Sequence, residues 1–500
     1  MKEFRAYRHE AELMLLPPSL AEWVPADHEI HFIREAVDRL DMSAITGAYA
    51  EAGGNPPYDP KLMVRILFFA YARGVRSSRR IERLLHESVP MRVLACNQQP
   101  DHWTIAHFRK RHLEALGELF VQTVLLAKLA GLVKLGHVAI DGTKIKANAS
   151  KHTAMSYGHM QKESVRLREE IGRHLRTAVA EDEAEDRKLG GRRGDELPAD
   201  LANAAKRRAV IERAMAALEE AARRGEVKLA KAERAAATPD GPEPVHPEEA
   251  TDSALRADTG AGARPLMLPV REAESPSEPV RPAEKETPPS PSPAVAPAAT
   301  RSIRPHEKVQ YNFTDPQSRI MLTGAKTFEQ CYNAQAAVDA ATQVIVGAEL
   351  TNMAADCPHL ITLVKQVVAN TGWVPAEVSA DAGYFSADHV QTLQDMEIDP
   401  FIPPDRIRHD EWRRQSPPRG RIPRNLDPKG RMRRKLRTRN GRARYRLRQQ
   451  SVEPVFGQIK SGRGLQQFLL RGLKAVRASW RFECAVHNVL KLWRAGAQMG

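Results

Sequence analysis

Three acidic residues in this chain have the type and setting to do chemistry together: Asp141 in AIDGT, Asp381 in VSADAGY and Glu453 in SVEPVFGQIK. Carboxylates are hard oxygen ligands, which select Mg²⁺ or Mn²⁺ over zinc. Two such ions about 3.5–4 Å apart would activate a water or a 3′-hydroxyl and stabilise the leaving oxygen in an in-line displacement at phosphorus. Taken singly, each acid has a plainer explanation. Asp141 before Gly142, and Asp381 before Ala382 and Gly383, stand as turn residues do, and Glu453 before Pro454 can simply precede a helix. The chemistry therefore depends on a fold that gathers all three.

The elements around them allow it. HVAIDGT alternates like a strand that ends in a tight turn at Asp141-Gly142. NAQAAVDAATQVIVGAELT reads as two strands around a turn, and HLITLVKQVVANTG as a helix stopped by Gly372. AEVSADAGY is a further strand with Asp381 at its end, SADHVQTLQDM a helix capped by Ser386, and DPFIPP a last short strand. This is an α/β order with a mixed sheet flanked by helices. Neighbouring strand ends would bring Asp141 and Asp381 close, and a packed terminal helix would add Glu453. Because Pro454 disfavours α geometry at the residue before it, that helix is expected to start or kink at Glu453.

The rest of the chain divides by composition. Residues 1–130 read as an all-helical, helix-turn-helix-like DNA-binding domain, with short helices in PKLMVRILFFAYARG, SSRRIERLLHES and DHWTIAHFRKRHLEAL, the last capped by Asp101. Arg109, Lys110 and Arg111 on that helix would lie on a duplex, or the helix would be a solvated amphipathic one packed on its neighbour; both readings stand. Residues 131–152 form the first part of the catalytic domain and 305–500 the second. Between them, 153–237 is a helical hairpin insertion turned by GGRRGDELP, with Val165, Ile171, Leu175 and Val179 on one apolar pattern and Val210, Ile211, Met215 and Leu218 on the other. Residues 238–304, rich in Pro, Ala, Glu and Ser, should be a disordered linker, since so little apolar surface cannot offset the entropy of ordering. The Arg-rich run RMRRKLRTRNGRARYRLRQQ precedes a patterned helix carrying Val476, Trp480, Ala485, Val489 and Leu492, which favours a DNA-contacting segment over a solvated tail.

A chain of 500 residues exceeds one ordinary core. Its net charge of +14 and pI of about 9.6 favour a polyanionic partner. Cys96, Cys331, Cys357 and Cys484 show no CxxC spacing, so neither a zinc knuckle nor a disulfide framework is indicated. With no signal peptide and no apolar run of membrane length, a cytoplasmic, nucleoid-associated protein without membrane contact is expected.

The strings AIDGTKIKANAS, YNAQAAVD, SADAGYFS and VEPVFGQIK, followed by HNVLKLW, resemble the catalytic blocks of DDE transposases from bacterial insertion sequences, in the branch whose last block carries a Tyr, Arg, Glu, Lys signature. The resemblance covers the N-terminal helices and both catalytic segments. It implies an RNase H-like fold, with Asp141, Asp381 and Glu453 as catalytic ligands of two Mg²⁺ or Mn²⁺ ions and Tyr445, Arg448 and Lys460 at the other signature positions. Glu453 and Lys460 keep the family's seven-residue separation, which would carry Lys460 to a phosphate near the cut; Arg448 lies five residues before Glu453, one more than usual. Lys144 and Lys146 alternate after Asp141 and either meet backbone phosphates or form an exposed edge. Glu349 and Asp339 are reserve ligand candidates. His137 reads as a strand residue and Asp315 as a turn residue, while spacing suggests no chemistry for His487 and Asn488. The partners implied are double-stranded DNA, as transposon ends and as target, and a second copy of the chain in a synaptic complex. The competing functions are a nuclease without strand transfer and a non-catalytic DNA-binding protein from a decayed element.

Overall fold

A computed structural model describes residues 19–49, 57–189, 199–224, 305–406, 416–418, 420–423 and 425–496. The linker expected at 238–304 and the turn GGRRGDELP lie outside these residues. The packing forms two units, one from the described residues of 1–148 and 317–500, the other from those of 149–257 and 267–316.

In the first unit the chain begins with helices α1 (Glu29–Asp38), α2 (Ser43–Thr46), α3 (Pro60–Ala72), α4 (Ser78–Glu87), α5 (Val89–Leu94), α6 (His102–Arg111) and α7 (Leu113–Leu129). Asp59 caps α3 by accepting from the Lys61 backbone N–H at 2.6 Å, with Pro60 in the first turn where its missing donor costs nothing. Asp101 caps α6 the same way, 2.7 Å from the Thr104 nitrogen.

Strand β1 (Val138–Lys146) follows. It does not stop at Asp141-Gly142 as the turn-like dipeptide suggested. Instead β1 runs antiparallel along β5 (Phe328–Asp339) over its whole length, from Val138 opposite Asp339 to Lys146 opposite Cys331. Nine paired residues override a local turn preference. The outer edge of β5 pairs with β4 (Arg319–Leu322) and β6 (Ile345–Thr351) in succession. On its other side β1 is parallel to β7 (Glu377–Ser379), which is parallel to β8 (Asp399–Phe401). Among the described residues this is a six-stranded mixed sheet.

Helices pack against it. After β6 comes α10 (Leu360–Thr371), ended by Gly372 in the left-handed region at φ 71°. After β7 comes α11 (Ala387–Asp395), whose preceding Ser386 makes no side-chain cap bond. The Arg-rich segment forms α12 (Pro428–Arg437) and α13 (Arg439–Gly457). The last helix, α14 (Leu473–Arg494), buries Val476, Trp480, Ala485, Val489 and Leu492 against α7 and β6. Fully burying each such side chain stabilises by roughly 1.5–3 kcal/mol.

Helix α13 corrects the reading of Pro454: the helix neither starts nor stops there but passes through it, leaving Glu453 in its last turns. A proline inside a helix strands the carbonyl four residues earlier. Here that carbonyl, on Gln450, accepts the Gln343 side-chain amide at 3.2 Å, so the loss is made good from the β5–β6 turn. A π-helical turn, Gln458–Gly462, then carries Lys460.

The second unit holds β2 (Ala154–Ser156) paired with β3 (Gln310–Asn312), and two long helices, α8 (Tyr157–Leu189) and α9 (Ala199–Arg223). The Tyr157 hydroxyl donates to Glu219 at 2.6 Å, so the start of α8 meets the end of α9 and the pair is antiparallel. The buried stripe keeps Ile211 and Leu218 from the sequence reading, with Ile171 and Met215 packed against it and the Val179 side chain outside the described residues, but differs elsewhere. Tyr157, Met160 and Leu167 face Ala204, Ile211, Ala214 and Leu218, whereas Val165, Leu175 and Val210 are exposed. Asp315, at the end of this unit, is buried.

No described helix is long and apolar enough to cross a membrane.

Candidate active site

Parallel pairing of β1 with β7 sets the site. Ala139 stands beside Ser379, so the residues two further along each chain, Asp141 and Asp381, emerge at the same level. Asp141 remains within the sheet, opposite Ala336 of β5. Asp381 lies past the end of β7 and caps a 3₁₀ turn, Ala382–Tyr384, through its bond to the Gly383 nitrogen at 2.9 Å.

Above them lies α13. The Arg448 guanidinium donates to Asp141 at 2.6 Å and stands 3.5 Å from Glu453. Arg448 also lies over the Tyr445 ring, 5.8 Å from its centroid, and Tyr445 itself packs against the cluster of Val390, Phe401, Met432 and Leu436. Lys460 donates to the Thr143 hydroxyl at 3.0 Å and to the Lys144 carbonyl at 3.2 Å. Since Asp141 and Thr143 share a face of β1, α13 and its π turn lay Arg448 and Lys460 along one side of the strand.

Burial pushes the Asp141 carboxyl up to about 6; Arg448 opposes that rise, and the nearby Asp381 and Asp356 carboxylates add to it. Asp381 is raised too, first by burial, with the Gly383 N–H and Arg448 holding it back and Asp356 pushing it further.

Glu453 does not close on the two aspartates. Its side chain is 53% exposed and meets Asp141 only through Arg448. Among the described residues no three His, Cys, Asp or Glu side chains stand close enough to hold a metal ion together. The donor set nonetheless fits a divalent cation. Carboxylates are hard oxygen donors, burial and the neighbouring Asp381 and Asp356 carboxylates both disfavour a bare negative charge on Asp141, and a guanidinium already bridges two of the three predicted ligands.

Sequence reasoning missed Asp356, which lies between β6 and the 3₁₀ turn Cys357–His359. Its Oδ1 accepts from Lys144 at 2.9 Å, Asn333 at 2.6 Å and Gln335 at 2.8 Å. The Gln335 amide oxygen in turn accepts the buried Tyr384 hydroxyl. Nothing local in AADCPHL signals this; the only trace is Asn333 and Gln335 at alternate positions of β5, opposite Lys144 and Gly142.

Gly142 is required by this packing. A Cβ there would stand 2.4 Å from Gln335 Nε2 and 2.9 Å from Asp356 Oδ1. Gly142→Ala is expected to displace Asp141 and its neighbours and to slow DNA cleavage on the order of 10²-fold, the cost of a roughly 1 Å misplacement. Cleavage rates on one labelled duplex compare the two proteins, and an unchanged rate would refute the requirement.

Other predicted residues have structural work. Arg109 turns inward to the Arg76 carbonyl at 2.5 Å and Ser78 at 3.2 Å, and Arg111 lies over Tyr49 at 4.6 Å, so of the α6 cations Lys110 is exposed without such a contact. The exposed face of α6 carries Trp103 stacked on His107, their ring centroids 5.0 Å apart. Lys146 pairs with Glu329 at 3.5 Å. Asp339 accepts from the Lys134 and Leu135 nitrogens, both at 2.7 Å, and Glu349 pairs with Arg477 at 2.6 Å. His137 lies between Glu377 and Ser379, 2.8 Å from each. Asn488 takes both the N–H and the carbonyl of Ile345 at 2.9 Å, and His487 reaches the Gln343 carbonyl at 3.0 Å. Both clamp the β5–β6 turn.

Comparison with known proteins gives two matches along the chain. Residues 18–111 match the family described as Transposase domain (DUF772), and residues 305–489 match the Transposase DDE domain. The second range contains Asp356, Asp381 and Glu453, while Asp141 precedes it. No curated protein and no solved structure gives a match. Enzymes with the DDE domain generally use divalent metal ions. With one transposase domain over α1–α6 and another over the strands and helices that carry these carboxylates, the chain is an enzyme, a transposase of the DDE type.

Proposed function

We propose that the enzyme cuts DNA at the terminal inverted repeats of an insertion sequence and joins the freed ends to target DNA, on an RNase H-like catalytic domain of the Tyr-Arg-Glu-Lys branch. The observation that carries this reading is the parallel β1–β7 register, which sets Asp141 and Asp381 level at neighbouring strand positions beneath a helix bearing Tyr445, Arg448 and Glu453.

Asp141, Asp381 and Glu453 would hold the divalent ions, Mg²⁺ or Mn²⁺, which when bound would activate the attacking oxygen and stabilise the leaving one. The chain's own residues do the positioning. Lys460, which lies beside Thr143 on the Asp141 face of β1, would meet a scissile-strand phosphate as a point charge. Arg448 neutralises Asp141 and is free in chemistry, though not in present contact, to exchange that carboxylate for a phosphate, since both suit its planar fork. Burial around Asp141 excludes water and strengthens each of these interactions.

DNA would run over basic surface. Arg79, Arg80 and Arg83 on α4, Lys110 on α6, and Arg437, Arg439 and Arg446 on α12 and α13 are exposed. Domain 1–130 would recognise the ends, and two copies of the chain would pair them in a synaptic complex, in the cytoplasm where the chromosome lies.

The deciding assay supplies a duplex end already cut to a 3′-hydroxyl, together with a target plasmid and Mg²⁺. Joining of the end to the plasmid is expected. Cleavage of intact ends without joining would instead indicate a nuclease, and end binding with neither activity a non-catalytic DNA-binding protein.

A further inference from the structure

We propose that Asp356 is a fourth carboxylate of the cation site, an inference that rests on the metal-dependent reading above. One oxygen of this side chain is fixed and the other is presented. Lys144, Asn333 and Gln335 all donate to Oδ1. Asn333 and Gln335 point the same way because they alternate on β5, and the Tyr384 hydroxyl on the Gln335 amide oxygen turns that amide's NH₂ toward Asp356. Three donors from two strands, β1 and β5, hold the carboxylate.

Oδ2 then faces Asp381 across Gly383. The point where a Cβ on residue 383 would stand is 3.6 Å from Asp356 Oδ2 and 3.0 Å from Asp381 Oδ1. Gly383 has an ordinary backbone conformation, without the positive φ that would require glycine. What its missing side chain provides is space between two carboxylate oxygens. Magnesium is commonly held by only one or two protein carboxylates, with water and substrate phosphate completing the octahedron. Asp356 and Asp381 supply such a pair, while Glu453 is more exposed and tied to Arg448.

A purely structural Asp356 would act through its ion pair with Lys144, and the two roles separate experimentally. Full-length protein bound to an end duplex is titrated with Mn²⁺, and free Mn²⁺ is read by electron paramagnetic resonance. Asp356→Asn is expected to weaken Mn²⁺ binding about tenfold or more. Gly383→Ala, which puts a methyl group into the gap, should weaken it as well. Lys144→Met, which removes the ion pair but leaves Asn333 and Gln335 on Oδ1, should lose much less Mn²⁺ affinity than Asp356→Asn.

Wild-type Mn²⁺ affinity in a folded Asp356→Asn protein would overturn the proposal, as would an equal loss in Lys144→Met. If Asp356→Asn does not fold, as judged by circular dichroism, Gly383→Ala decides, and unchanged affinity there overturns it. Failure of the unmodified complex to bind any Mn²⁺ is a separate result that removes the metal-dependent reading itself.

Discussion

Asp141→Asn is expected to lower Mg²⁺-dependent cleavage on the order of 10³-fold or more, with binding to end DNA unchanged. The substitution keeps the size of the side chain, and its amide oxygen can still accept from Arg448, so the packing of α13 over β1 survives. What is lost is a ligand charge at the level where β1 and β7 run side by side. The same residue predicts a pH dependence. With the Asp141 carboxyl at about 6, proton and metal ion compete for it below that value, so the Mg²⁺ concentration needed for half-maximal cleavage rises as pH falls through 6. Cleavage rates across a Mg²⁺ titration at several pH values, with a parallel gel-shift measurement of binding, test both parts. Undiminished cleavage by the Asn variant would remove Asp141 from the chemistry.

Glu483→Ala should be strongly destabilising although it lies away from the site. Glu483 is fully buried on α14 and pairs through both oxygens with Arg76, just before α4; the second contact, Arg76 Nη2 to Oε2, is 3.0 Å. Arg76 is itself only 10% exposed and also donates to the Arg463 carbonyl at 2.8 Å. Removing the carboxylate leaves a buried guanidinium without its counter-charge, a defect that costs about 3–5 kcal/mol. The loss appears as a lower urea midpoint at constant slope. In a double-mutant cycle, Glu483→Ala with Arg76→Met should cost much less than the two single changes added together. A single-variant loss below about 1 kcal/mol would mean that the pair contributes little.

Much of this fold was legible in local patterns. Asp101 as a cap, Gly372 as a helix stop, and the stripe from Val476 to Leu492 are all features that neighbouring residues determine. What was not legible depends on partners far along the chain. Asp141-Gly142 looks like a turn, and only the length of β5 makes it the middle of a strand. Pro454 looks like a helix boundary, and only the Gln343 side chain on the Gln450 carbonyl makes it an interior residue. Arg109 and Arg111 look like a DNA-facing pair until Arg76 and Tyr49 are seen to hold them. The candidate site divides the same way. Asp141, Asp381 and Glu453 stand in recognisable strings, whereas Asp356 owes its place to Lys144, Asn333 and Gln335, which no spacing in the sequence connects to it.

The long pairing of β1 with β5 also has a consequence in time. At about 5–20 residues per second, Glu453 leaves the ribosome roughly 15–60 s after Asp141 has done so. For about the first 10–40 s of that interval β1 lacks the partner strand opposite all nine of its residues, with the whole of α8 and α9 synthesised in between. On the proposed site, a nascent chain therefore has no assembled cutting centre until α13 has been made, and a protein truncated before α13 is expected to be unable to break DNA.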